Sequence, residues 1–286
     1  AELGGYDDEA LASLLSELSA ESPDLVASTG WVPDDLEELL ARLEPARPAL
    51  TDPDDVPAPP KKSKSKLGDV WLLGPHRLVC GDSPADGVPL VMAGETADMV
   101  WTDPPYGVDY GAKNRYLTSS GRNSRGEDIE SDEIDPAALY EMLTAALGAA
   151  AAACRPGAVW FTAAPPGPPY AEFLRVLLEL GIFRQGLAWM KDRGIFGRSD
   201  YHYQHENICY GWVPGAAHHF PPDQTGTSSW DIPSPRANKL HPTMKPVGLI
   251  ERGIERHTDP GQTVLDPFGG SGSTLIACES LRRKAR

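Results

Sequence analysis

The chain has 286 residues, 41 % of them hydrophobic and 23 % charged, with 41 acidic against 26 basic side chains and a formal net charge of −15. This agrees with a cytosolic enzyme. The scattered Cys80, Cys154, Cys209 and Cys278, without a C-x-x-C pair, suggest neither a disulfide framework nor a Cys-rich zinc site, and no apolar run reaches the roughly 20 residues that span a bilayer. Residues 1–60 hold 15 acids and 2 bases, a net of −13, which leaves 26 acids and 24 bases (−2) from residue 61 onward; a near-neutral body neither requires nor excludes a polyanionic partner.

In chain order, residues 6–20 (Leu11, Leu14, Leu15, Leu18) and 33–43 (Leu36, Leu39, Leu40, Leu43) carry helical apolar spacing behind acidic first turns. Pro45, Pro48, Pro53, Pro57, Pro59 and Pro60 then leave no room for a helix, so 45–66 reads as a linker. Its closing Lys61–Lys66 run reads as a solvated spacer. From Gly68, Val70–Leu73 and His76–Val79 read as a hairpin whose second strand ends at Gly81-Asp82. Asp82 is expected at a sheet edge, with one crossover helix over residues 84–95 before the next, adjacent parallel strand. A plain turn aspartate is the alternative there.

That strand is Met99, Val100, Trp101, an apolar run that places Asp103-Pro104-Pro105-Tyr106 at the carboxyl edge of a buried parallel sheet, where α/β enzymes bind ligands. Proline fixes its own φ and pushes the preceding residue toward extended geometry. Asp103 and the Pro104 carbonyl then stand as neighbouring acceptors with the Tyr106 ring beyond them, an arrangement suited to a planar amino group. Residues 107–135 are polar and Gly/Ser-rich, and read equally as a mobile substrate loop or as plain surface; Lys113, Arg115 and Arg122 are its basic members.

From Asp135-Pro136 an alanine-rich helix is expected to run to Pro156-Gly157, followed by a strand at Val159–Phe161, a helix over 170–180 and a strand from Gly186, in βαβ alternation. An aromatic and histidine-rich stretch follows, from Trp189 to His219 and including Arg198. Within it His202, His205 and Glu206 lack the helical i, i+4 pair of a zinc protease, so no metal is assigned. Gln224 to Lys239, with Arg236, is polar and leads to His241-Pro242-Thr243-Met244-Lys245-Pro246 and a helix through Val247, Leu249, Ile250 and Ile254. Thr263–Leu265 make a short strand closed by Asp266, and Gly269, Gly270 and Gly272 form a turn that opens a helix near Ser273. The turn lacks G-x-G-x-x-G spacing and a following Lys, which suits neither a dinucleotide fold nor a P-loop.

Asp103–Tyr106, His241–Pro246 and Asp266–Gly272, in that order, resemble the DNA amino-methyltransferases that use S-adenosylmethionine. The order is that of the circularly permuted β group, in which the catalytic tetrapeptide precedes the cofactor loop. The resemblance implies an α/β, Rossmann-like fold for residues 67–286, behind the linker 45–66 and a short α-helical N-terminal segment, 1–44. That segment resembles the tail of the ParB-like nuclease domain often fused upstream of such enzymes. It also implies a further strand, ending in an acidic residue, after the helix of Leu275–Cys278 and between the Asp82 and Asp266 strands; with Arg286 so close behind, the domain is expected to lack it and to be truncated.

For the site, the resemblance implies that Asp103, Pro104, Pro105 and Tyr106 hold the methyl-accepting amine of a flipped base. Asp82 would accept from the cofactor's adenine, and Asp266, Phe268, Gly269, Gly270, Gly272, Ser273, Thr274, His241, Thr243 and Lys245 would line the rest of its pocket. Double-stranded DNA is the implied partner, in a cytoplasmic protein, with Lys113, Arg115, Arg122, Arg198, Arg236 and Lys239 as candidate phosphate contacts. A restriction partner or a homodimer stays open. Asp at the first motif position leans toward adenine-N6, with cytosine-N4 the rival; a non-catalytic nucleic-acid-binding or partition-like protein is the reading from another class, against which the intact tetrapeptide speaks.

Overall fold

Met99, Val100 and Trp101 point alternately into two apolar layers, as a strand buried on both faces requires. The computed structural model describes residues 8–21, 31, 62–107, 135–195, 200–221, 225–234 and 244–286, which fall into two units, Ala1–Pro48 and Ala49–Arg286. In the smaller unit, helix α1 (Asp8–Glu21) buries Ala12 and Leu15, with Leu11, Leu18 and Trp31 packed beside them. Leu14, expected on the same stripe, is instead exposed: the a/d-like spacing of Leu11, Leu15 and Leu18 already defines the buried face. The expected helix over 33–43 lies outside the described residues.

The larger unit runs through a hairpin of β1 (Val70–Leu73) and β2 (His76–Val79), a π-helical turn at Ser83–Gly87, α2 (Val88–Met92), β3 (Ala97–Thr102), α3 (Pro136–Ala152), β4 (Cys154–Ala164) and α4 (Tyr170–Glu179). It continues through β5 (Phe183–Ile195), β6 (Tyr203–Trp212), β7 (Ser229–Asp231), α5 (Val247–His257), β8 (Thr263–Leu265), α6 (Ser273–Ser280) and β9 (Lys284–Ala285). Among the described residues the main sheet has the order β7-β5-β6-β4-β3-β8-β9. Strands β4, β3, β8 and β9 pair in parallel, and β6 is antiparallel to both its neighbours. One face of the sheet, with Val100 and Trp160, packs on α2, α3 and α4; the other, with Met99, Trp101, Val159 and Phe161, packs on α5 and α6. This is the expected Rossmann-like α/β arrangement.

Local chemistry places the elements. Asp135 caps α3 by accepting from the amides of Ala137 and Ala138, and Pro136 is pre-set for the first turn. Asp98 ties both neighbours to β3, accepting from Arg155 Nε at 2.7 Å and from the Thr263 amide at 2.9 Å. Helix α5 lies close to the sheet because residue 253 is glycine: a Cβ there would stand 2.7 Å from the Trp101 ring.

Four expectations are corrected. The helix of 136 onward stops at Ala152, and Cys154, Pro156 and Gly157 already belong to β4. The β1–β2 hairpin forms its own two-stranded sheet, so the strand leading to Asp82 is not a neighbour of β3. Pro84, Gly87 and Pro89 break the expected crossover helix into a π turn and a five-residue helix. After α6, where no further strand is expected, Lys284–Ala285 pairs in parallel with β8. There the Ala285 amide donates to His76 Nδ1 at 3.0 Å, and Arg286 binds Glu95 at 2.8 Å and the Pro75 carbonyl at 2.7 Å, so the hairpin is fastened to that edge.

Two outcomes follow from this packing. Gly253→Ala drives a methyl group into the Trp101 ring, which is held against Phe161 and Trp230, and should cost about 1–3 kcal/mol in denaturant titration. His257 lies between Phe161 and Tyr210 with Nδ1 on the His219 carbonyl; burial, with neighbouring positive groups, holds its pKa down to about 4. A histidine depressed in the folded state is charged more readily when unfolded, so its contribution is present above its ordinary value near 6.5 and is lost as pH falls toward 4. It amounts to about 3 kcal/mol. Unfolding free energy measured between pH 7 and pH 4 should therefore fall less steeply in His257→Gln than in the wild type.

Candidate active site at the carboxyl edge of the sheet

Strand β3 delivers Thr102, fully buried, and then Asp103, while Pro104 and Tyr106 are buried just beyond. The Asp103 carboxylate is bound through Oδ2 by Lys245 Nζ at 2.7 Å, and its Oδ1 is buried with no hydrogen-bond partner among the described residues. Lys245 reaches Asp103 from the residue before Pro246, which caps the start of α5. The same ammonium lies 3.2 Å from Glu206 Oε2 and 4.9 Å from the centre of the Tyr106 ring. Glu206 also accepts from the Tyr106 hydroxyl at 2.7 Å and from Lys191. Antiparallel pairing explains the last contact: Trp189 on β5 sits opposite Glu206 on β6, so Lys191, two residues on, shares that face. The Tyr106 ring rests edge-on against Phe173 at 6.0 Å.

Two carboxylates and two ammonium groups thus balance in a largely buried cluster, which is how buried charge is tolerated. Burial raises the Asp103 carboxyl above the usual carboxylate range; Lys245 opposes that shift and Glu206 adds to it. Burial also works against ionisation of Glu206, but Lys245 and then Lys191 outweigh it and hold that carboxyl down to about 2.

Strand β8 ends beside β3, in register with Met99 and Val100, and the crevice between them lies where the sheet's strand order reverses. Asp266 leads the glycine turn there. Its Oδ1 accepts from Thr102 Oγ1 at 3.0 Å and from the Phe268 amide at 3.0 Å, and its Oδ2 accepts from Thr274 Oγ1 at 2.6 Å. Burial pushes its pKa up to about 6 in spite of these donors. Gly270 and Gly272 have φ of 49° and 84°, the left-handed region that glycine adopts without strain, and a Cβ on Gly272 would meet nothing within 4 Å. The turn leads directly into α6, whose first residues, Ser273 and Thr274, are buried. Asp82, exposed, is brought to this turn by the next residue, because Ser83 Oγ donates to the Pro267 carbonyl.

The structure therefore gathers Asp103–Tyr106 with Lys245, and Asp82 with Asp266–Thr274. Lys245, expected against the cofactor, lies against Asp103 and Glu206. His241, Thr243, Lys113, Arg115, Arg122, Arg198, Arg236 and Lys239 lie outside the described residues. Sequence reasoning missed Lys191 and Glu206 as members of the site; their one signal was to be charged residues in a strand-forming aromatic stretch. Glu206, near His202 and His205 in the sequence, is committed to two lysines and a tyrosine.

A family model described as DNA methylase matches residues 97–285. Among curated proteins, "Putative methylase YubD" of Escherichia coli (strain K12) is 55 % identical over 40 residues, 14 % of this chain, and this chain spans 18 % of its length. Type II methyltransferase M2.DpnII of Streptococcus pneumoniae is 24 % identical over 252 residues, covering 78 % of this chain and 90 % of its own. Among solved structures, the M1.HpyAVI–SAM complex aligns over 71 % of this chain and 87 % of that one, with 21 % identity and a TM-score of 0.49.

Asp266→Ala leaves one amide and two hydroxyls without their acceptor at the base of the turn and should cost about 3 kcal/mol or more in chemical unfolding. Asp266→Asn, which retains an acceptor, should lose clearly less.

Proposed function

Because the chain belongs to the DNA methylase family, whose model matches residues 97–285, we propose that it transfers a methyl group from S-adenosylmethionine to N6 of adenine in double-stranded DNA. The observation that carries this reading is the Asp103 carboxylate at the carboxyl edge of β3, with one oxygen held by Lys245 and the other buried without a donor. A buried acceptor of this kind calls for an N–H, and an exocyclic amine has two to offer, the second to the Pro104 carbonyl. Accepting both turns the nitrogen lone pair out of conjugation with the ring, toward the methyl donor. These acceptors are set before the substrate arrives, so no reorganisation is needed at the reacting moment.

An amine within a base pair is edge-on and already hydrogen-bonded, so the base must leave the stack, at a cost of a few kcal/mol that stacking and hydrogen bonds in the pocket offset. Tyr106, whose ring lies beside the Lys245 ammonium, is the stacking wall. Asp103 rather than Ser at the head of the motif favours adenine over cytosine.

The glycine turn fits S-adenosylmethionine. Its left-handed glycines admit close approach, the first amides of α6 at Ser273 and Thr274 suit a carboxylate, Phe268 supplies an apolar face, and the exposed Asp82 can accept from an adenine amine. Asp266 shapes the turn through its three donors. His241 and Thr243 are assigned to the cofactor side of the crevice, and Lys113, Arg115, Arg122, Arg198, Arg236 and Lys239 to the DNA phosphates, where they carry affinity and salt dependence more than sequence choice. When bound, the cofactor supplies a methyl group made electrophilic by its sulfonium.

The test is incubation with unmethylated DNA and methyl-labelled S-adenosylmethionine, followed by digestion to nucleosides and mass identification of the labelled one. Label in N6-methyladenine is expected, and Asp103→Ala should lower the rate on the order of a hundredfold or more. Label in N4-methylcytosine would reassign the base. Cofactor binding with no label in any nucleoside would overturn the reading in favour of a non-catalytic DNA-associated protein.

A further inference from the structure

We propose that Glu206 is a positioning residue for the methyl-accepting site: it anchors the Lys245 ammonium and the Tyr106 hydroxyl so that Lys245 occupies one oxygen of Asp103 and leaves the other for the substrate amine. This rests on the amine-methylation reading of Asp103. A lysine ammonium is a compact point charge with three donors and no preferred partner. Were Asp103 its sole anion, nothing would stop it from sitting across both carboxylate oxygens and closing the acceptor that the substrate needs. Glu206 Oε2, 3.2 Å away, draws the ammonium to one side, where it lies 2.7 Å from Asp103 Oδ2 and off Oδ1.

Glu206 is itself fixed. Lys191 binds its Oε1 from the neighbouring strand, and Tyr106 donates to its Oε2 at 2.7 Å, so the carboxylate cannot follow Lys245 toward the substrate. With the lysine side chains 8 % and 6 % exposed and Glu206 11 %, water does little to loosen these contacts. Tyr106 gains from the same anchor: its hydroxyl is held by Glu206 and its edge by Phe173, which fixes the plane against which a base would stack. Among the described residues, the charged or titratable groups acting on Asp103 are Lys245 and Glu206, Tyr106 beside them, and Asp266 at the end of β8. Those acting on Glu206 are Lys245, Lys191 and Tyr106, with Asp103 across the shared ammonium.

The test combines the pH profile of kcat/KM for DNA methylation with carbon-13 NMR titration of the Asp103 carboxylate, which needs no activity. Glu206→Gln removes a like charge from Asp103, so the acid limb and the Asp103 titration should both move to lower pH. The freed Lys245 should lower kcat roughly tenfold or more, with KM for DNA little changed. Lys245→Met removes the opposite charge and should move both to higher pH, and Lys245→Arg should restore them. Glu206→Asp keeps the charge but shortens the reach, and should lower kcat without moving the limb; it also decides the matter should the uncharged variant fail to fold. Limbs that stay put in Glu206→Gln, or move the same way in Glu206→Gln and Lys245→Met, would overturn the proposal, leaving Glu206 a packing element only. A wild type that binds cofactor and DNA but labels no amine, with Asp103 titrating in opposite directions in the two variants, would instead overturn the methylation reading and uphold the anchoring.

Discussion

The Lys245 ammonium serves two carboxylates at once, Asp103 at the end of β3 and Glu206 near the start of β6, and the geometry of the site depends on that sharing. Removing any one of these charges leaves another buried without compensation, which is the costly way to break such a cluster. The charges balance only when Lys191 is counted, so a strand three positions away from β3 in the sheet is part of the same electrostatic unit. Such coupling means that the protonation of Asp103 belongs to the group rather than to one side chain.

The sheet makes this cluster possible through one reversal of direction. Parallel strands end at the carboxyl edge, so β3 and β8 can contribute only their last residues, Thr102 onward and Asp266 onward. Strand β6 runs the other way, and its first residues reach the same edge; this is how Glu206 and Asn207 arrive beside the ends of β3 and β4, with Asn207 donating to the Pro165 carbonyl at 2.9 Å. On the other side of β3, Thr102 and Asp266, 164 residues apart in the chain, join two strands and fix the glycine turn relative to Asp103–Tyr106. The hairpin is held to the far edge of the sheet by His76, Arg286 and Glu95, which sets Asp82 near the same crevice.

Punctuated segments were legible in the sequence. Thr263–Leu265, the glycine turn and a helix beginning at Ser273 stand where the residues put them, because a short β-branched run, an aspartate and left-handed glycines each constrain the backbone locally. Likewise, Asp135-Pro136 starts its helix and Tyr170–Glu179 follows its apolar spacing. Where neighbours matter, local pattern failed. Alternation identifies the hairpin strands but is silent on their partner, which is each other rather than the main sheet, and the two residues of β9 carry no period at all.

By itself, then, the sequence determined the α/β class and the places of Asp103–Tyr106 after one strand and of the glycine turn after another, since these follow from residue type and near-neighbour spacing. Only the tertiary structure showed that Lys245 pairs with Asp103 and that Glu206 and Lys191 join the same cluster. Their identities are those of ordinary charged residues, and nothing within a few positions of them in the chain distinguishes them from a solvated surface. What distinguishes them is burial beside an opposite charge, a property of strand order and direction that no local window of residues contains.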